Sequence, residues 1–175
     1  GDTYLGETLV IATGAQARWL GVTGEKELSG FGVSACATCD GFFYRGKDVA
    51  VIGGGNSATE EALYLSNIAK SVTLIHRRDS LRSEKILQQR LFAKPNVTCI
   101  WDTAVDAMLG QDTGRVKVLR ALALRNVKTG ETRELAVDGA FVAIGHAPAT
   151  ELFKGQVAMD AEGYVVTTPG STRTN

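Results

Sequence analysis

A strand, a glycine turn and a helix follow one another directly between residues 48 and 69, and this succession constrains the fold more than any other feature. Residues 48–53 form a short apolar run, and from Ala58 onward apolar side chains recur at helical spacing. A second apolar run, 71–76, restores the strand pattern. Because strands joined through a helix form right-handed crossovers within parallel sheets, we predict an α/β fold built on a parallel sheet.

Further segments extend this sheet and interrupt it once. Apolar runs and helical periodicity predict buried strands over 8–14, 96–100 and 139–145, a helix over 83–94 and a connector over 15–32. The segments 115–125 and 133–137 flank a turn signal at 128–131, which predicts a β-meander inserted where a helix would otherwise follow. Residues 160–163 predict a final hairpin turn.

The glycine cluster after the first of these strands has the spacing of a nucleotide-binding turn. Gly53, Gly55 and Ala58 fit the pattern G-x-G-x-x-A, in the strand–turn–helix context that dinucleotide binding requires. Gly53 would make the sharp turn, Gly55 would let a pyrophosphate approach, and the helix start would direct free N–H groups at that anion. Asn56 and Ser57 can add donors. We therefore predict a Rossmann-like three-layer nucleotide-binding domain with a parallel sheet and an inserted β-meander; the alternative is a glycine turn that only closes a βα unit.

Basic residues stand where the second strand ends. An NAD-binding protein usually has an acid at this place, about twenty residues after the glycines, for the ribose 2′-hydroxyl. Here the sequence has His76, Arg77 and Arg78, with Arg82 four residues further on. Guanidinium groups can bind a 2′-phosphate through charge-assisted hydrogen bonds, so NADPH is predicted in preference to NADH. The alternative is a solvated basic loop balanced by neighbouring acids.

Two cysteines at C-x-x-C spacing form the second candidate site. Cys36 and Cys39 are close enough along the chain to form a small disulfide ring, and both redox chemistry and zinc binding use this spacing. A structural zinc needs four ligands, and the remaining candidates are single and scattered: Cys99, His76 and His146. No metal is therefore expected. Asp40 can serve as a proton donor to a thiolate, although an aspartate after a turn is more often a cap.

Composition excludes several classes of partner. Lysine plus arginine and aspartate plus glutamate number 19 each, so no net charge draws the chain to nucleic acid or an anionic membrane. No apolar run reaches the roughly 20 residues that span a bilayer, and the start does not have the layout of a secretion signal. Three cysteines are too few for a secreted disulfide scaffold, so a cytoplasmic location is expected.

Four motifs together closely resemble low-molecular-weight, bacterial-type thioredoxin reductases. They are Cys-Ala-Thr-Cys-Asp-Gly at 36–41, Val-Ile-Gly-Gly-Gly-Asn at 51–56, His-Arg-Arg-Asp-Ser-Leu-Arg at 76–82 and Ala-Ile-Gly-His-Ala-Pro at 143–148. Their order and spacing are those of that family, and the resemblance covers nearly the whole chain. Reductases that serve peroxiredoxins share the layout but usually differ between the two cysteines.

The resemblance implies a relay in which NADPH passes a hydride to FAD, the reduced flavin opens the Cys36–Cys39 disulfide, and the dithiol reduces thioredoxin. By this resemblance Cys39 faces the flavin, Cys36 attacks the partner and Asp40 is the acid. The adenosine end of NADPH would lie at Ser57, His76, Arg77, Arg78 and Arg82, the nicotinamide near Ile144, Gly145 and Tyr164, and FAD near Thr13 and Gly14.

The same resemblance implies a division of the chain. Residues 1–15 would be the end of an FAD domain, 16–148 the NADPH domain with the redox pair, and 149–175 a return segment toward the FAD domain. A flavin fingerprint is missing from the 175 residues, so this chain alone is expected to bind NADPH without FAD-dependent turnover. The complete enzyme is expected to be a homodimer and this chain a monomer. A non-enzymatic NADP(H)-sensing module with a redox switch remains the alternative of a different class.

Overall fold

The computed structural model describes residues 2–175 and divides into two compact units. The larger unit is Ala17–Gly145, and the smaller combines the residues up to Gln16 with His146–Asn175. In chain order the strands are β1 (Ala15–Ala17), β2 (Val33–Ser34), β3 (Asp48–Ile52), β4 (Ser71–Ile75), β5 (Val97–Ile100), β6 (Thr103–Asp112), β7 (Lys117–Asn126), β8 (Thr132–Ala136), β9 (Gly139–Val142) and β10 (His146–Pro148). The α-helices are α1 (Ala37–Asp40), α2 (Asn56–Leu65) and α3 (Lys85–Phe92), and 3-10 helices span Gly41–Tyr44 and Glu151–Phe153.

The sheet of the larger unit has five strands in the order β2-β9-β3-β4-β5, and every neighbouring pair is parallel. β3, α2 and β4 form the crossover unit that the sequence pattern predicts. From β3 the chain continues to β4 on one side, while β9 lies on the other, so the strand order reverses between β3 and β9. Ligands of open α/β sheets bind at the carboxyl ends of the strands beside such a reversal. The predicted Rossmann-like fold is confirmed.

The parallel sheet is covered on both faces, which makes three layers. Side chains of β3 alternate between the faces: Val49 and Val51 pack with α2 and α3, whereas Ala50 and Ile52 pack with the inserted sheet. Fully buried Phe141 of β9 joins the helix side. A strand buried on both faces has a continuous apolar run instead of an alternating one, and this explains the signal at 48–52.

The third layer is an antiparallel sheet in the order β6-β7-β8, which confirms the predicted inserted β-meander. β6 was not predicted as a separate strand. Its pairing with β7 shifts register between Val105 and Ala107 and again between Leu109 and Gly110. Such a bulge breaks the period-two alternation, so the buried Val105 and Met108 stand three residues apart and mimic a helical spacing.

The segment 8–14 was predicted as a buried strand, and this is wrong. It has no regular structure, and Leu9 and Val10 are 79% and 84% exposed. A strand needs a partner for its backbone groups, and no strand within residues 2–175 pairs with this segment. The segment is apolar, but an apolar composition alone does not supply a pairing partner.

The remaining element predictions are close to the structure. The helix predicted over 83–94 is shorter, because α3 is preceded by Glu84 in a non-helical conformation and ends before Ala93. The turn predicted at 160–163 is present in the smaller unit, where Gly163 donates to the carbonyl of Asp160 and Met159 bridges to Val165. No helix among residues 2–175 is both long enough and apolar enough to cross a membrane.

Candidate functional site

A cleft of about 510 Å³ opens in the larger unit at the carboxyl ends of β3 and β9, where the strand order reverses. Residues from the glycine turn, the end of β4, the start of β6 and the end of β9 line it. Its lining is Arg18, Leu20, Ile52, Gly53, Gly54, Gly55, Asn56, Ser57, Ile75, His76, Arg77, Arg82, Thr103, Ala104, Val105, Ala143, Ile144 and Gly145. Most of the predicted nucleotide residues therefore surround one cavity.

The glycine turn is shaped by close packing on one side and open space on the other. Gly53 has a φ of +155°, and a Cβ there would collide with the carbonyl oxygen of Ala143 and the side chain of Ala58. Gly55 is the N-cap of α2, with open space where a side chain would stand and no side chain capping the helix. The first N–H groups of α2 are thus free to face an anion in the cleft.

His76 is a buried ring that supports the turn. A Cβ on Gly54 would collide with this ring, and Trp101 packs edge-on against it at 6.5 Å between centroids. Burial, reinforced by the positive charges of Arg82, Arg78 and Arg77, lowers the pKa of His76, so the imidazole is neutral. Its Nε2 atom is buried and has no hydrogen-bond partner among the described residues.

Two of the predicted arginines lie at the edge of the cleft. Arg77 and Arg82 line it and are exposed, and the Arg82 N–H donates to the carbonyl oxygen of Gly54 at 2.7 Å. Neither guanidinium forms a salt bridge within residues 2–175. Arg78 is exposed but does not line the cleft.

The acids that could have balanced these arginines have other partners. The carboxylate of Asp79 lies 3.7 Å from Lys128. Glu84 receives the Asn56 side-chain N–H at 3.4 Å and donates its own backbone N–H to the Asn56 oxygen at 2.9 Å. The Asn56 side chain is therefore bound to Glu84, while the arginines keep an unneutralised positive charge beside the cleft.

Arg18 is a cleft residue that sequence reasoning missed. Its N–H donates to the carbonyl oxygen of Gly145 at 2.9 Å, and its exposed side chain lines the cavity. It stands in the stretch predicted as a connector, where no motif marks it. Ile144 and Gly145, by contrast, follow β9 and line the cleft.

The cysteine pair lies just after β2. Cys36 and Cys39 form a disulfide with 5.3 Å between their Cα atoms. Cys36 is the N-cap of α1, and its sulfur accepts the Cys39 N–H at 3.2 Å. Cys39 is exposed and Cys36 half-buried. Cys39 is therefore the more accessible residue of the pair, and the lining of the cleft includes neither cysteine.

A short hydrogen-bond network connects Asp40 to the pair through Ser34, a second residue that sequence reasoning missed. The Ser34 hydroxyl donates to the Asp40 carboxylate at 2.6 Å and accepts the Cys36 N–H at 3.0 Å. Ser34 is buried at the end of β2. A serine two residues before a cysteine is too common to single out, so its role appears only in the folded chain.

Exposed aromatic side chains lie beside the disulfide. Phe42 and Phe43 follow α1 directly and are 67% and 69% exposed. Their rings pack edge-to-face at 6.2 Å, and the Arg45 guanidinium lies 5.6 Å from the Phe42 centroid. Exposed aromatic pairs with an arginine are typical of surfaces that bind other proteins.

Other predicted residues belong to the smaller unit. Thr13 is exposed, Gly14 has a φ of +69° and accepts the Ala149 N–H, and the N–H of Tyr164 donates to Asp160. Within residues 2–175 no group of three or more histidine, cysteine, aspartate or glutamate side chains is arranged to hold a metal ion.

Comparison with known proteins defines the class first. The chain belongs to the pyridine nucleotide-disulphide oxidoreductase family, whose profile matches residues 1–175. All of the chain aligns with thioredoxin reductases of Rickettsia felis and Streptomyces coelicolor, at 52% identity each, and covers 56% and 53% of those relatives. The chain thus spans about half the length of the curated relatives it matches.

Solved structures agree with the sequence relatives. The thioredoxin reductase of Lactococcus lactis, in its FR conformation, matches 93% of this chain with a TM-score of 0.84 and 42% identity, over 52% of its own length. That of T. acidophilum matches 92% with a TM-score of 0.82 and 33% identity, over 51% of its length. The resemblance to bacterial-type thioredoxin reductases is confirmed.

Proposed function

We propose that this chain is the NADPH-binding and disulfide-carrying part of a thioredoxin reductase. One observation carries the proposal: the glycine turn, the start of α2 and two arginines without a salt bridge among residues 2–175 meet around one cleft, at the edge of the sheet where such folds bind ligands. The disulfide stands in the same unit, at the end of β2. A nucleotide cleft and a redox pair together favour a reductase over a nucleotide-binding module without an enzymatic role.

The cleft fits the parts of NADPH in order. The open space at Gly55 and the uncapped start of α2, with Ser57, suit the pyrophosphate. Arg77 and Arg82, with Arg78 nearby, suit the 2′-phosphate, while the neutral His76 ring supports the turn from beneath. Ile144 and Gly145 also line the cleft and suit the nicotinamide.

Bound NADPH and FAD supply the two electrons of a hydride to the disulfide. When the S–S bond breaks, those electrons reside on the two sulfurs, which take up protons from the site or from water. Asp40 is suited to supply one proton when its carboxyl group is protonated, and the Ser34 hydroxyl connects that group to the backbone of Cys36. Cys36 would then attack the disulfide of thioredoxin and Cys39 would resolve the mixed disulfide. Thr13 and Gly14 would contribute to the FAD site of the complete enzyme.

A protein substrate fits the surroundings of the pair. The exposed Phe42 and Phe43 give an apolar surface next to the exposed Cys39, and Arg45 adds a positive charge. A small disulfide would not need such a surface. The proposal therefore includes thioredoxin as the partner. It also includes residues 16–148 as the NADPH domain, flanked by the segments 1–15 and 149–175. The complete enzyme would be a homodimer, and this chain alone a monomer.

The first test measures equilibrium binding of NADPH and NADH to the chain at fixed salt. We expect NADPH to bind at least tenfold more tightly, since each charge-assisted hydrogen bond to phosphate contributes about 1.5–3 kcal/mol. Arg77→Ala and Arg82→Ala should each weaken NADPH binding and leave NADH binding nearly unchanged. Arg90→Ala, on the exposed side of α3, is the matched control and should change neither. Equal affinities for both nucleotides would contradict the proposal.

A second test separates the reductase from its alternatives. The chain is mixed with a separately produced flavin domain of a related reductase, and NADPH oxidation is followed with thioredoxin or with a peroxiredoxin as acceptor. We expect no turnover by the chain alone and turnover with thioredoxin in the mixture. Turnover only with the peroxiredoxin would identify the other reductase class. NADPH binding without turnover in any mixture would favour the sensing module.

A further inference from the structure

Glu61 is a half-buried acid of α2 whose carboxylate points toward the redox pair's helix. Its Oε2 atom is buried without a hydrogen-bond partner among the described residues. Leu65 and Ile68, one and two turns further on, pack within 3.1–3.2 Å of the place where a Cβ of Gly41 would stand. Residues at i, i+4 and i+7 share one helix face, so Glu61 lies on the face that α2 turns toward α1 and Gly41.

The carboxylate of Glu61 is influenced by the backbone of the redox pair's loop. The backbone N–H of Ala37, the residue that follows Cys36 and begins α1, lowers the pKa of Glu61. Ala37 itself is fully buried. The negative charge of an ionised Glu61 would therefore lie one residue from Cys36, in a place that water reaches poorly.

Few positive charges lie on the elements packed around Glu61. α3 carries the exposed Lys85 and Arg90, and the Lys70 that follows α2 is paired with Asp48 of β3. The other titratable groups are acids or phenols: Asp40, which is bound to Ser34, Tyr44, Glu60 and Tyr64. Burial is the largest influence on Glu61 and raises its pKa to about 7, against the Ala37 N–H, which lowers it. The carboxyl group thus changes charge near neutral pH.

We propose that Glu61 is a positioning residue that controls the ionisation of Cys36 in the dithiol form, an inference that rests on the proposed redox function of the pair. When a dithiol reductant or a reduced flavin delivers two electrons, the S–S bond breaks and each sulfur either binds a proton or remains a thiolate. An ionised Glu61 disfavours a thiolate at Cys36, so this sulfur keeps its proton. A neutral Glu61 removes that repulsion.

The test follows the alkylation of Cys36 by iodoacetamide in the reduced chain from pH 6 to pH 9, with mass-spectrometric fragmentation to separate Cys36 from Cys39. Iodoacetamide reacts with the thiolate, so its rate reports ionisation. We expect Glu61→Gln to react about three- to fivefold faster than the unchanged chain near pH 7.5, because a nearby negative charge is removed. Near pH 6, where Glu61 of the unchanged chain is mostly protonated and therefore as neutral as the glutamine, the rates should converge.

Glu60→Gln is the matched control, since it removes the same charge from the neighbouring, exposed position of α2. It should give the profile of the unchanged chain. Profiles of Glu61→Gln and the unchanged chain that coincide at every pH, or an equal effect of Glu60→Gln, would overturn the inference. A purely structural role of Glu61 would change the rate by the same factor at all pH values.

A measurement on the unchanged chain covers the case in which Glu61→Gln does not fold. Carboxyl carbons labelled with ¹³C are titrated by NMR in the oxidised and the reduced chain, and Glu61 should titrate at a higher pH in the reduced chain because a thiolate can then lie beside it. Identical titrations would overturn the inference. Failure of the proposed redox function would be seen in a different measurement, because the Cys36–Cys39 disulfide would then not form reversibly in glutathione buffers.

Discussion

At the scale of single residues, the three consecutive glycines of the turn have different tasks. Gly54→Ala should destabilise the chain by about 1–3 kcal/mol, because its Cβ would overlap the His76 ring, which Trp101 confines from the side. Gly55→Ala is the matched control: nothing lies within 4 Å of its Cβ and its φ is −96°, so stability should hardly change. Urea denaturation measures both. Equal losses of stability would contradict this division of tasks.

The same pair of variants separates stability from binding. Gly55→Ala should weaken NADPH binding although the fold is intact, because the new methyl group would occupy the space proposed for the pyrophosphate. For each variant, the loss of stability is compared with the loss of NADPH affinity. A Gly55→Ala chain that binds NADPH as tightly as the unchanged chain would place the pyrophosphate elsewhere.

Glu61 makes stability depend on pH in a defined direction. Its pKa rises from an ordinary value of 4.5 to about 7 on folding, so the folded chain binds the extra proton between these values and loses stability as pH rises. Glu61→Gln should therefore be more stable than the unchanged chain at pH 8, by roughly 1–2 kcal/mol for a half-buried group, and gain little at pH 4. Thermal melting of both chains at the two pH values measures this. A difference in stability between the two chains that is the same at pH 4 and pH 8 would contradict the expectation.

At the scale of elements, the meander is a structural layer that closes one face of the parallel sheet. Leu122 of β7 is fully buried between the two sheets, and Leu122→Ala should cost about 2–5 kcal/mol of unfolding free energy. Arg120→Ala on the same strand removes only an exposed ion pair with Glu134 and should cost less than about 1 kcal/mol. Chemical denaturation measures both variants, and equal losses of unfolding free energy would show that the meander is not part of the hydrophobic core.

Elements buried on both faces were predictable, and the others were less so. Continuous apolar runs located β3, β4 and β9, because a central parallel strand needs apolar side chains toward both layers. β6 was missed because its bulge shifts the side-chain alternation. The failed prediction at 8–14 shows that an apolar run specifies burial or pairing only when the chain provides a partner.

The candidate site divides in the same way. The glycine turn and the arginines were found because their chemistry needs fixed residue types at fixed spacing. Arg18, Ser34 and Glu61 have no such spacing: Arg18 is held by the distant Gly145 carbonyl, Ser34 by its bond to Asp40, and Glu61 is set apart by its burial. No periodicity in the chain encodes these contacts.

At the scale of the whole molecule, the larger unit contains everything that a folding domain needs. Both hydrophobic clusters lie entirely within Ala17–Gly145, as do the cleft and the disulfide. The smaller unit is mostly exposed and contributes no residue to either cluster. A chain of residues 17–145 should therefore unfold cooperatively by itself, as single domains of this size generally do.

Circular dichroism and calorimetry test this expectation, with NADPH affinity as the functional measurement. The 17–145 chain should melt within a few degrees of the 175-residue chain and bind NADPH with comparable affinity. A shorter chain of residues 17–138 lacks β9, the strand between β2 and β3, and should not fold. β9 carries the fully buried Phe141 and leads into the cleft residues 143–145. Non-cooperative melting of the 17–145 chain would mean that the domain's stability depends on residues outside its two cores.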